Sequence, residues 1–118
     1  MDIRLVCSDI DGTLLQYGKK ELEGEIFDQI RALHQRGIWF CPASGRQYTS
    51  LRKLFAPVAD CCVFICENGG TIFKEEQCIA KTFLGSSHER CHILKRGIRK
   101  ICRIKKICMA KYSCFYEK

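Results

Sequence analysis

The chain has 118 residues, 47% of them hydrophobic, and a formal net charge of +7. That length predicts at most one compact domain. No run approaches the ~20 apolar residues of a membrane span and the N-terminus enters a strand pattern directly, so neither a spanning segment nor a secretory leader is expected and a cytoplasmic location is.

The apolar run Ile3, Leu5, Val6 and Cys7, broken by Arg4, predicts a buried first strand over 3–8, followed by a loop over 9–18. Glu23 to Gln35 read as a helix, with Ile26, Phe27, Ile30 and Leu33 at helical spacing, Glu21, Glu23 and Glu25 at the positive end and Gly37 as the terminator. Ile38 to Pro42 predict a second strand with Trp39 in the core, Ser44-Gly45 a turn, and Tyr48 to Phe55 a second helix ended by Pro57. Cys62 to Cys66 form a third predicted strand, Asn68-Gly69 a hairpin signal before Thr71 to Phe73, and Gln77 to Lys81 another short strand. Strand, helix, strand, helix, strand implies parallel pairing, which opens the strand ends near Asp9, Ser44 and Asn68 on one edge of the sheet.

Ten cysteines stand at 7, 41, 61, 62, 66, 78, 91, 102, 108 and 114. No Cys-x-x-Cys pair occurs, which argues against a zinc site. Several fall inside predicted strands, where a reduced thiol acts as a small hydrophobe. His34 is expected to contact the negative end of the first helix, while His88 and His92 have no matching partners.

Asp9-Ile10-Asp11-Gly12-Thr13-Leu14 carries the chemistry. In an extended chain residues i and i+2 share a side, so Asp9 and Asp11 are expected to face one reaction centre where open α/β sheets hold ligands. One carboxylate suits a nucleophile and the other proton transfer. The bland alternative is a metal-only or helix-capping pair. Gly12 permits a tight turn after the strand, and free amides there are expected to cradle phosphate. Ser44 reads either as a phosphate-binding hydroxyl or as a helix N-cap. Arg46 reads as a bidentate phosphate contact or a solvated arginine, Asn68 as a substrate contact or turn chemistry with Gly69, and Glu67 as a capping or rim residue.

Leu5-Val6-Cys7-Ser8-Asp9-Ile10-Asp11-Gly12-Thr13-Leu14-Leu15 resembles the first signature of the haloacid dehalogenase superfamily of phosphohydrolases, in particular its Cof-type branch. Gly37 to Arg46 resembles the second signature, and Phe64-Ile65-Cys66-Glu67-Asn68-Gly69-Gly70 resembles that branch's Glu-Asn-Gly segment. The resemblance covers roughly residues 1–82. It implies an α/β fold with a Rossmann-like parallel sheet and flanking helices, the N-terminal part of the core, with 83–118 as a basic tail: the truncated start of a cap domain or a frame-shifted segment. It implies an Mg²⁺-dependent phosphatase working through an aspartyl-phosphate. Asp9 would be nucleophile and Asp11 general acid and base, the ion would be held by the Asp9 carboxylate and the main-chain carbonyl of Asp11, and Gly12, Thr13, Ser44, Gly45, Arg46 and Asn68 would meet the substrate. The implied substrate is a small phosphorylated metabolite such as a sugar phosphate, selected by the cap.

Two further signatures of the family, a lysine and a Gly-Asp-x-x-x-Asp type segment, are not found after Thr82. Lys95, Lys100 and Lys105 lie where a cap would begin and receive no role. The reading is therefore of a truncated copy, weakly active or inactive by itself, whose incomplete sheet exposes an edge.

Charge sets the tail apart. Residues 1–87 hold ten basic and eleven acidic residues, a net of −1, and residues 88–118 hold ten basic and two acidic, a net of +8. Ile93, Leu94, Ile98, Ile101, Ile104, Ile107 and Cys108 give partial helical spacing, and Tyr112 to Tyr116 a short strand. The rival readings are a non-catalytic fragment or a basic-tail nucleic-acid-binding protein. Aromatics come only at Tyr112, Phe115 and Tyr116 rather than among the charges, which favours a solvated helix face over nucleic-acid binding. Oligomeric state is not legible in the sequence.

Overall fold

Strand β1 (Ile3–Asp9) sends Leu5 and Cys7 into one apolar layer and Val6 toward another, as alternation along a two-sided buried strand requires. The protein is described here by a computed structural model covering residues 3–81 and two later strands, Lys106–Met109 and Ser113–Glu117. In chain order the elements are β1, α1 (Gly24–Gln35), β2 (Trp39–Ala43), α2 (Tyr48–Leu54), a 3-10 segment (Ala56–Cys61), β3 (Val63–Cys66), β4 (Thr71–Lys74), β5 (Gln77–Lys81), β6 (Lys106–Met109) and β7 (Ser113–Glu117). The sheet order is β5-β4-β3-β2-β1-β7-β6.

The three predicted parallel strands are parallel: Leu5 pairs with Trp39 in β1–β2, and Ala43 with Ile65 in β2–β3. Helices α1 and α2 are their crossovers, and both sit on one face of the sheet. Ile30 of α1 and Leu51 of α2 share a cluster with Phe40, Phe64 and Cys66. Leu5, Cys7, Cys41, Val63, Ile65 and Ile72 point to the opposite face and are equally buried. Phe55, fully buried at the end of α2, lies against Phe40 and Phe64 with ring centroids 6.0 and 6.3 Å away.

Helix α1 stops as its sequence predicts. Gly37 adopts φ +74°, its N–H donates to the His34 carbonyl at 2.9 Å, and the Ile38 N–H donates to Leu33 at 3.0 Å. This paired closure is the one glycine makes cheap after a helix. His34 lies in the last turn of α1 as expected, its ring packs edge-on with Trp39 at 4.9 Å, and among the described residues its buried Nδ1 has no hydrogen-bond partner. Trp39 is half-buried, with the Lys74 ammonium 4.5 Å from its ring centroid.

Asn68-Gly69 lies, as the hairpin signal implies, between the antiparallel strands β3 and β4, paired from Val63–Lys74 to Cys66–Thr71. The connection is the four residues 67–70, and Glu67, Asn68 and Gly69 all have positive φ. Glycine and asparagine tolerate that conformation. Glu67, at φ +52°, carries about 1–2 kcal/mol of backbone strain.

The tail differs from its sequence pattern. Ile107 and Cys108, read as part of a helical stripe, lie in β6, and the expected terminal strand is β7. The rest of the predicted tail helix, with His88, Cys91, His92, Lys95, Lys100 and Lys105, lies outside the described residues. β7 runs antiparallel to β1, with Val6 opposite Phe115, Cys7 opposite Cys114 and Ser8 opposite Ser113. The β1 edge expected to be open is therefore paired, and the sheet ends at β5 and β6. Spacing over a few residues did not separate helix from strand here. What decides is the unfilled row of N–H and C=O groups along β1, which a nearby extended segment satisfies.

Within residues 3–81 the six cysteines are free thiols, five of them buried. Burial pushes the Cys66 thiol up to about 12 and raises Cys62 further. Neither is a thiolate near neutral pH, in keeping with their reading as small hydrophobes.

Candidate active site

The loop after β1 closes tightly on itself. Ile10 is fully buried, and its carbonyl accepts the N–H groups of Thr13, Leu14 and Leu15 at 3.1, 3.0 and 2.9 Å. Gly12, at φ +83°, donates its N–H to Leu15 at 2.8 Å. The amides expected to be free for phosphate at Gly12 and Thr13 are thus used within the turn, a consequence of folding six residues onto one carbonyl. What the turn exposes is side chains. Asp9 ends β1 half-buried, and one of its oxygens, Oδ2, accepts the Thr13 hydroxyl at 3.0 Å.

Asp11 is held from the second strand end. The Arg46 guanidinium grips both its oxygens, Nη2 to Oδ1 at 2.6 Å and Nε to Oδ2 at 3.1 Å. The buried Ser44 hydroxyl donates to Oδ2 at 3.3 Å and accepts the Arg46 N–H at 3.1 Å. Ser44 therefore does not cap α2. The residue at the helix N-cap is Gln47, which makes no side-chain capping bond. The hydrogen bond and charge of Arg46 hold the Asp11 carboxyl below its ordinary range against a partial opposing burial, with Ser44 adding to the lowering. In this pairing Asp11 is an anion at neutral pH.

The third strand end locks onto the second. The Ser44 N–H donates to Ile65, the Asn68 N–H to Ser44 and the Glu67 N–H to Arg46, at 3.0, 3.1 and 3.0 Å. A Cβ on Gly45 would lie 3.1 Å from the Asn68 side-chain oxygen, so glycine lets Asn68 close over this turn. Glu67 accepts the Thr71 hydroxyl at 3.2 Å, a local tie within the hairpin. The parallel sheet thus brings Asp9, Asp11, Thr13, Ser44, Gly45, Arg46 and Asn68 to one edge.

Sequence reasoning did not single out Tyr17. It is 90% exposed, and its hydroxyl lies 2.7 Å from where a Cβ on Gly12 would stand. The signal was a lone aromatic in a polar loop, which has no periodicity to mark it.

For a divalent cation, the donors at hand are the carboxylate of Asp9 and the oxygens of Asp11. These hard ligands suit Mg²⁺, which binds through one or two carboxylates together with waters and phosphate oxygens. Among the described residues no group of three His, Cys, Asp or Glu side chains could hold a metal. The donor type fits, and the number falls short of a closed protein site.

Known proteins resemble this chain in sequence and fold. A curated relative from Escherichia coli (strain K12), 5-amino-6-(5-phospho-D-ribitylamino)uracil phosphatase YbjI, is 36% identical over 75 residues, 64% of this chain and 28% of its own length. The chain thus spans less than a third of that protein. A solved structure from Eubacterium rectale is 34% identical with a TM-score of 0.64, over 71% of this chain and 31% of that one. A haloacid dehalogenase-like hydrolase from B. subtilis shares the fold with a TM-score of 0.61 at 24% identity, over 80% and 33% of the two chains. The family model for haloacid dehalogenase-like hydrolases matches residues 6–95, so the chain belongs to that family.

Proposed function

We propose that these residues form the nucleophile half of an Mg²⁺-dependent phosphatase for small phosphorylated metabolites such as sugar phosphates, acting through an aspartyl-phosphate. The observation that carries this reading is the edge cluster itself. Asp9 sits at the end of β1, with one oxygen bonded by Thr13 and the other, among the described residues, without a hydrogen bond, beside Asp11 fixed by Ser44 and Arg46. The named activity of the E. coli relative, removal of phosphate from a ribityl-uracil, supports the substrate class.

In this reading the unbonded Asp9 oxygen attacks phosphorus, the P–O bond to the alcohol breaks, and Asp11 gives the alcohol its proton. Asp11 then takes a proton from water, which attacks phosphorus and frees Asp9 and inorganic phosphate. A substrate phosphate competes with Asp11 for the Arg46 guanidinium fork. As its donors turn to phosphate, the largest cause holding the Asp11 carboxyl low is removed, and the negative charge of the phosphate beside it favours the neutral carboxyl, which takes its proton from solvent before giving it to the alcohol. The Asp9 carboxylate and the main-chain carbonyl of Asp11 would hold Mg²⁺, which when bound supplies positive charge against the phosphate. Ser44 and Asn68 add polar contacts from the second and third strand ends.

The lysine and the distal acidic pair implied by the family resemblance have no counterparts in these residues. Charge stabilisation is commonly the largest catalytic contribution, so turnover by these 118 residues is expected to be slow. The test is release of p-nitrophenol from p-nitrophenyl phosphate with Mg²⁺, alongside NMR of the chain with beryllofluoride, a mimic of the phosphoryl group on aspartate. The expected result is slow turnover abolished by Asp9→Asn, with beryllofluoride shifting the Asp9–Thr13 amides. Fast turnover would refute the expected slowness, and turnover retained in Asp9→Asn, or no response to beryllofluoride, would sink the nucleophile assignment.

A further inference from the structure

Beside the acidic cluster lies a cleft of about 530 Å³, within the range of small-molecule sites. Its apolar lining is Leu22, Phe27 of α1, Leu54 of α2 and Pro57, and its cationic lining is Lys20, Lys53 and Arg46. Arg46 therefore belongs to two places at once: its guanidinium holds Asp11, and its side chain forms part of the cleft wall. The three ion pairs among the described residues, Arg31–Asp28, Arg46–Asp11 and Arg52–Glu76, leave Lys20 and Lys53 unpaired. The acid on the wall is Glu21, so two uncommitted ammonium groups outnumber it. An apolar floor under two unpaired cations, joined to a phosphate-seeking arginine, matches a ligand with an anion at each end and a carbon body between.

We propose that this cleft receives the far end of the substrate from the core side, adding to the selection that the family resemblance assigns to a cap, and favours phosphate monoesters bearing a second anionic group, carboxylate or phosphate, on the far side of the molecule. The proposal rests on the phosphatase reading above, since it places the first phosphate at Asp9. The second anion would lie between Lys20 and Lys53, two point charges that favour an anion without demanding one geometry. The carbon body would cover Phe27, Leu54 and Pro57. Lys20 comes from the loop before α1 and Lys53 from the last turn of α2, and both are exposed, so replacing them leaves the core intact.

The test is an amide NMR titration of the whole chain with Mg²⁺, using fructose 1,6-bisphosphate, fructose 6-phosphate and inorganic phosphate as probes. The proposal expects all three to shift amides of residues 9–13 and 44–46, and the bisphosphate alone to shift Lys20, Lys53 and Leu54 as well. In a Lys20→Ala/Lys53→Ala variant the affinity ratio of bisphosphate to monophosphate should fall roughly tenfold. If all probes shift the Asp9 loop but the bisphosphate leaves the cleft unmoved, or the double variant keeps the ratio, the proposal is overturned and the phosphatase reading stands. If the bisphosphate moves the cleft but no probe moves residues 9–13, the phosphatase reading fails, and this proposal fails with it because its ligand would not be a substrate.

Discussion

Arg46 shows how one side chain sets the character of its neighbour. With both oxygens in the guanidinium fork, the Asp11 carboxyl titrates below its ordinary value of 3.8. Replacing Arg46 with alanine removes the largest cause, and carboxyl NMR should show the Asp11 midpoint moving upward. An unmoved midpoint would mean that the pair does not persist in solution. The linkage follows in sign: a lowered folded-state value contributes stability above the ordinary carboxylate range, and that contribution is lost as pH falls through the lowered value. Both side chains are partly exposed, 32% for Arg46 and 46% for Asp11, so at neutral pH the pair is worth no more than about 1 kcal/mol. At this scale the sequence named the candidate residues but not the bonds among them. Asp11 and Arg46 are 35 residues apart, and no local spacing reports which strand end faces which.

Among the elements, α1 and α2 hold the site by anchoring the loops that carry it, and their apolar stripes were plain in the sequence. Phe55 is the tightest case, fully buried between Phe40 and Phe64. Phe55→Ala should cost about 3–5 kcal/mol, a large share of the ~5–15 kcal/mol typical of a domain. Urea denaturation would measure it, and a loss under 1 kcal/mol would show that this cluster relaxes to fill the cavity. The strand and helix positions read from periodicity match the structure to within a residue or two, because over 3–81 each segment's pattern agrees with its neighbours' packing. The reading failed where that agreement was absent. Ile107 and Cys108 fit a helical stripe by spacing, yet they belong to a strand chosen by its partner β7.

For the whole molecule, the pairing of β7 with β1 makes the later segment part of the sheet that positions Asp9. Deleting residues 106–118 should leave the β1 edge open, and sedimentation velocity should then show dimers or larger species where the full chain is smaller. A deletion variant that stays monomeric with unchanged circular dichroism would show the edge needs no cover. By itself the sequence determined the ancestry, the parallel order of the first three strands and the two aspartates, because those depend on short-range periodicity and on a motif written in consecutive residues. Only the tertiary structure decided that the turn amides are spent internally, that Arg46 grips Asp11 and borders a cleft with Lys20 and Lys53, and that an antiparallel strand fills the edge of β1. Each of these depends on residues far apart in the chain meeting at one sheet edge, where register and the need to satisfy every buried N–H and C=O select the neighbours.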